Sequence, residues 1–161
     1  MKMCRRLSIL SLAATLAAAM VPASYASDGG GRATAQGQSE KRENTMKIRL
    51  DVEGTAVTAI LADNPTSRDF VSLLPLTLTL EDYAGTEKVS DLPRKLSIEE
   101  APAGADPSIG DIAYYAPWGN LAIFYRDFGY STGLVILGKI DDGMETLSTP
   151  SPLRVTIELL K

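Results

Sequence analysis

The eight residues from Leu76 to Tyr83 read Leu-Thr-Leu-Thr-Leu-Glu-Asp-Tyr. Apolar and polar positions alternate, the period of a strand with one buried face. Leu76, Leu78 and Leu80 are expected on one side, with Thr77, Thr79 and Glu81 on the other. The same alternation opens the domain at Lys47–Val52. Glu53-Gly54 supplies a turn, and Thr55–Leu61 is apolar and β-branched, so a hairpin is expected.

A helix is expected over roughly 65–74. Asn64 caps it, Pro65 suits its first position, Phe70, Val71, Leu73 and Leu74 form its apolar face, and Pro75 ends it. Tyr83–Gly110 is broken by Gly85, Pro93, Pro102, Gly104 and Pro107 and reads as a long loop with one short strand near Lys95–Ile98. Loops of that length are uncommon in compact domains unless they serve a function. Strands follow at Asp111–Tyr115, Leu121–Arg126, Leu134–Ile140 and Leu153–Leu160, with a turn at Pro117-Trp118-Gly119-Asn120 and one or two helical turns over Asp142–Leu147. About seven or eight strands with one or two short helices make a mainly β domain. A closed antiparallel β-barrel removes the edges such a sheet would expose.

The beginning of the chain has a different character. Lys2, Arg5 and Arg6 precede an uncharged, Leu- and Ala-rich run from Leu7 to Met20. That run is shorter than the roughly 20 residues that span a bilayer. Pro22 breaks it, and small residues allow cleavage after Ala26 or after Ala23. Residues 1–26 are therefore expected to be a signal peptide, delivering the protein to the periplasm or the cell exterior with no stable membrane insertion after cleavage. The Arg5-Arg6 pair leaves the export route open. Residues 27–45, with Gly29-Gly30-Gly31 and almost nothing apolar, read as a flexible linker, and the folded domain is expected over 46–161.

Two absences narrow the chemistry. The chain has a single cysteine, Cys4 in the leader, and no histidine. Disulfides, thiolate nucleophiles, serine–histidine chemistry and zinc–histidine sites are excluded from the mature domain. No cofactor or metal is expected. The whole chain has 16 basic and 20 acidic residues. The leader's three basic residues leave 13 against 20 in the mature chain, a net charge of −7. Such a surface repels phosphate backbones, so nucleic acid is not an expected partner.

The stretch Ile136-Leu137-Gly138-Lys139-Ile140-Asp141-Asp142-Gly143-Met144 is similar to the cyclophilin segment that reads apolar-Phe-Gly-Lys-Val-x-x-Gly-Met. Gly119-Asn120-Leu121-Ala122-Ile123-Phe124 sits where cyclophilins carry Gly-Ser-Gln-Phe-Phe-Ile, and Gly110–Tyr115 with Pro117, Gly119 and Asn120 resembles the bacterial cyclophilin-like family. The match spans Met46–Leu160 and implies the cyclophilin barrel. It does not imply prolyl isomerisation. The Phe-His-Arg-Ile and Phe-x-x-Gln-Gly-Gly-Asp runs that carry that activity in cyclophilins are missing, so no catalytic arginine carries over. Association of some family members with flavodoxin-like domains is a further implication of the resemblance.

Seven of the ten aromatic residues lie between Tyr114 and Tyr130. Leu121, Ile123 and Tyr125 face one way and Ala122, Phe124 and Arg126 the other, and one of these faces must be core. Tyr83, Tyr115, Trp118, Asn120 and Phe124 are the candidate ligand-binding residues: aromatic walls with a few polar groups suit a pocket, and equally suit a core. Arg94 and Arg126 are the candidate catalytic donors if isomerisation occurs, with surface ion pairing as the alternative. The acid pairs Glu81-Asp82 and Asp141-Asp142 have neither glycosidase nor calcium-loop geometry and are expected to be solvated. The expectation is a barrel that binds a small ligand or a proline-containing peptide. The alternatives are an envelope peptidyl-prolyl isomerase, or an accessory domain to a flavodoxin-like or redox partner.

Overall fold

The computed structural model describes residues 45–161. The expected signal peptide over 1–26, and all but the last residue of the linker over 27–45, lie outside the described residues. Strands β1 (Met46–Val52) and β2 (Thr55–Leu61) form the expected hairpin. Glu53 and Gly54 both take positive φ, 51° and 92°, the two-residue turn whose twist matches that of its strands. Helix α1 (Pro65–Val71) is capped by the Asn64 side chain, which accepts from the Ser67 N–H at 2.8 Å. It ends three residues before the expected limit, because Ser72, Leu73 and Leu74 turn back onto carbonyls three residues earlier.

Strand β3 (Leu76–Tyr83) has the expected bounds, with Leu78 and Leu80 in the core. The expected strand near Lys95–Ile98 is corrected: that stretch forms no ladder, and the segment's strands are β4 (Glu87–Asp91) and the two-residue β5 (Gly104–Ala105). β4 reads Glu-Lys-Val-Ser-Asp and carries no apolar alternation, because its inward residue is Lys88. β6 (Asp111–Tyr115), β7 (Asn120–Phe124), β8 (Ser131–Thr132), β9 (Leu134–Asp142), α2 (Met144–Leu147) and β10 (Leu153–Leu159) complete the chain.

Eight strands close into a barrel in the order β1-β10-β3-β4-β7-β6-β9-β2, with every pair antiparallel. Alternate residues fill it: Ile48 and Leu50, Val57 and Ala59, Ile112 and Tyr114, Leu121 and Ile123, Leu137, and Val155 and Ile157. Gly138 lies where β9 passes β2. A Cβ there would sit 2.4 Å from the Ile60 carbonyl oxygen and 2.7 Å from Leu61 Cα, so only glycine permits the approach. The glycine of the Gly-Lys-Ile segment therefore closes the barrel.

One end of the barrel holds a buried charge. Lys88 is 1% exposed, and its Nζ donates to Asp82 Oδ2 at 2.9 Å, the Thr149 carbonyl at 2.6 Å and Ser151 Oγ at 2.8 Å. The Tyr125 hydroxyl donates to the other oxygen of Asp82 at 2.8 Å. All four acids of the Glu81-Asp82 and Asp141-Asp142 pairs are exposed, as expected, and two of them also form ion pairs. Asp82 ties the Lys88 ammonium to the β7 end, and Asp141 accepts from Lys47 Nζ at 2.9 Å.

Candidate functional site

A second apolar cluster lies on the outside of the barrel. Ala122 and Phe124 of β7, Ala113 of β6 and Leu134 of β9 are buried there, against Val89, Tyr115 and Ile136. These are the residues out of phase with the interior, so the barrel wall is apolar on both faces along β7, β6 and β9. The cover is irregular chain. β5 pairs with β8, and a Cβ on Gly104 would meet the Ser131 carbonyl oxygen at 2.3 Å.

The loop between β4 and β6 is pinned at two points. Tyr114, in the core, accepts the Leu96 N–H on its phenolic oxygen at 3.1 Å. Arg94 grips Asp69 of α1 through both carboxylate oxygens, at 2.6 and 2.9 Å, and the Ser97 N–H donates to the same carboxylate at 2.8 Å. The Arg94 guanidinium beside Asp69, helped by the Ser97 N–H, holds that carboxyl at about 2, against an ordinary 3.8.

Where the cover stops, the wall opens into a cavity of about 190 Å³. Tyr83, Tyr115, Trp118, Asn120 and Phe124 all line it, together with Glu87 and Phe128. The five sequence-selected ligand candidates therefore meet at one place. They do so because Tyr83, Glu87, Asn120, Phe124 and Tyr115 share the outward phase of neighbouring strands β3, β4, β7 and β6. Trp118 stands over them from the β6–β7 turn. It is 57% exposed and meets Tyr83 and Tyr115 edge to face, with centroids 5.4 and 5.3 Å away. Such pairs hold a ring in place while leaving surface open.

Asn120 is the most deeply buried polar residue of this wall. It is 4% exposed, and its Oδ1 has no hydrogen-bond partner among the described residues. An unpaired buried amide oxygen costs about 1–3 kcal/mol, a cost that a ligand donor would remove. Asn120 and Trp118 also border a second, more open groove lined by Thr79, Glu81, Val89, Ser90 and Asp91. The two hollows thus share a boundary.

Neither candidate donor lines either hollow. Arg94 is committed to Asp69 and Ser72. Arg126 is exposed beyond the end of β7 and forms no ion pair among the described residues. Glu87 escaped sequence reasoning, since a lone glutamate in a polar stretch carries no signal. The structure puts it, half-buried, in the aromatic hollow, and that burial pushes its carboxyl above the ordinary 4.5.

Barrel and groove define the class: a closed eight-stranded antiparallel β-barrel domain with an aromatic hollow on its outer wall. Residues 50–158 match the model of the Cyclophilin-like family, and the chain belongs to that family. It is also similar to the solution structure of a hypothetical protein from Archaeoglobus fulgidus. The TM-score is 0.55 at 18% identity, covering 75% of this chain and 99% of that one, a similarity of fold alone. Among curated proteins none matches the chain significantly.

Proposed function

We propose that this protein is an exported binding module that takes an extended peptide segment, proline-containing segments included, in the Tyr83–Tyr115–Trp118 hollow. The leader pattern of residues 1–26 supports the export. The observation that carries the binding is the unpartnered Asn120 amide oxygen, buried at a hollow walled mainly by aromatic and apolar side chains. A peptide backbone N–H is the donor that such an oxygen lacks, and an aliphatic or proline side chain suits the space beside it. Binding ranks ahead of catalysis. A prolyl isomerase needs a fixed donor beside its apolar pocket, and no arginine or lysine lines this one.

Trp118 is the chain's one tryptophan, so its fluorescence reports on the hollow without a label. Titrating the mature domain with a set of proline-containing and proline-free peptides should shift that emission saturably for some of them. A protease-coupled isomerase assay run beside it should stay at the uncatalysed rate. Emission that no peptide moves would overturn the reading, and clear turnover would replace it with an enzyme.

A further inference from the structure

Acidity surrounds the shared boundary of the two hollows. Glu87 lies in the aromatic one, and Glu81 and Asp91 in the open one across Trp118. No lysine or arginine lines either. None of the three acids takes part in an ion pair, although six such pairs occur among the described residues.

The nearby bases do not line either hollow. Lys88 points into the barrel to Asp82. Lys95 runs its stem along Gly119, and Arg154 sits across from Thr79 on β10, but neither lines a hollow. The described residues also contain no cluster of three acids arranged to hold a metal ion. The acids are spread along a groove, as suits an extended organic cation better than a point charge.

The arrangement has a direction. Glu81 and Tyr83 follow one another on the outward face of β3, as do Asp91, Val89 and Glu87 on β4. A chain running along these strands meets Glu81 and Asp91 first, the latter level with Asn120, and then Tyr83, Glu87 and Phe124 of the aromatic hollow. We propose that the peptide taken by this groove carries a lysine or arginine next to its apolar residue, the basic side chain lying between Glu81 and Asp91 and the apolar one under Trp118. This rests on the peptide reading above and adds the charge of the partner. Three unpaired carboxylates supply the attraction, the Trp118 ring face adds a cation–π surface, and Asn120, which borders both hollows, marks the place where the backbone passes.

The test uses peptides that bind in the Trp118 titration, each made with lysine, glutamine or glutamate at the position flanking the apolar residue. The lysine form should bind at least about tenfold more tightly than the glutamine form at low salt, and the glutamate form more weakly still. The gap should narrow at high ionic strength. It should close in the double variant Glu81→Gln/Asp91→Asn, whose exposed, near-isosteric changes leave the fold intact. Equal affinity of the lysine and glutamine forms for the wild type would overturn the charge inference and leave the peptide reading standing. A charge preference that persists in the double variant would overturn the assignment to these two acids. Silence from every peptide would remove both readings.

Discussion

Arg94 holds Asp69 at 2.6 and 2.9 Å across 25 residues of chain, joining the loop after β4 to the helix after β2. Arg94, one of the two candidate donors for which ion pairing was the alternative, thus takes part in an ion pair. The Asp69 carboxyl sits at about 2 in the fold against an ordinary 3.8, so the pair's contribution to stability is present above about pH 4 and is lost as pH falls toward 2. Urea midpoints at pH 7 and pH 2.5 should drop less on acidification in Arg94→Ala than in the wild type. The Trp118 titration should be unchanged by that substitution.

Lys88 is expected to matter more for its stem than for its charge. Lys88→Ala opens a space at the barrel end and strips a donor from the Thr149 carbonyl, at a cost of about 2–4 kcal/mol. Lys88→Met refills the space and should recover at least half of that loss. Chemical denaturation of the three proteins at pH 7 decides it, and equal losses in both variants would mean that the ion pair dominates.

Asn120→Leu should separate stability from binding. Replacing an orphaned buried amide with an apolar side chain of similar size should raise stability by about 1 kcal/mol, visible as a higher Tm. The same change should abolish the peptide-induced shift in Trp118 emission. A less stable variant would show that the amide is satisfied in solution.

Glu87 carries a carboxyl pushed up by burial with no cation beside it. Its ionisation opposes folding, so the wild type should lose stability relative to Glu87→Gln as pH rises through the ordinary glutamate value of 4.5 and just above it. Thermal melts of both proteins from pH 4 to pH 7 measure this, and parallel profiles would contradict it.

Gly138→Ala tests the barrel closure. A Cβ placed 2.4 Å from the Ile60 carbonyl forces β9 away from β2 and should cost about 2–3 kcal/mol. Ala at exposed Gly129, where no atom lies within 4 Å of a Cβ, is the matched control and should be nearly silent.

Much of the fold was legible because burial writes a period into a strand. Leu76–Leu80 and Ile48–Val52 alternate in sequence and in space for the same reason: one face meets the barrel interior. β4 was illegible because its inward position is a lysine, acceptable only where Asp82, Thr149 and Ser151 converge from elsewhere in the chain. The stretch around Leu96 looked like a strand because its leucine is buried. Its N–H, however, is satisfied by the Tyr114 hydroxyl and not by a neighbouring strand.

The aromatic cluster between Tyr114 and Tyr130 was conspicuous in sequence, and its meaning was divided. Tyr114 belongs to the core, Tyr125 binds Asp82 at the barrel end, and Tyr115, Trp118, Phe124 and Phe128 line the outer hollow. Sequence alone determined the alternation, the hairpin turn, the membership implied by the Gly138–Met144 stretch, and the chemistry that a domain without cysteine or histidine cannot perform. Tertiary structure alone decided which ring faces which side of the wall, that Arg94 is held by Asp69, and that Glu81, Glu87 and Asp91 flank the unpartnered Asn120. Alternation is local and survives in a linear string, whereas a site is assembled by strand pairing between residues far apart in the chain.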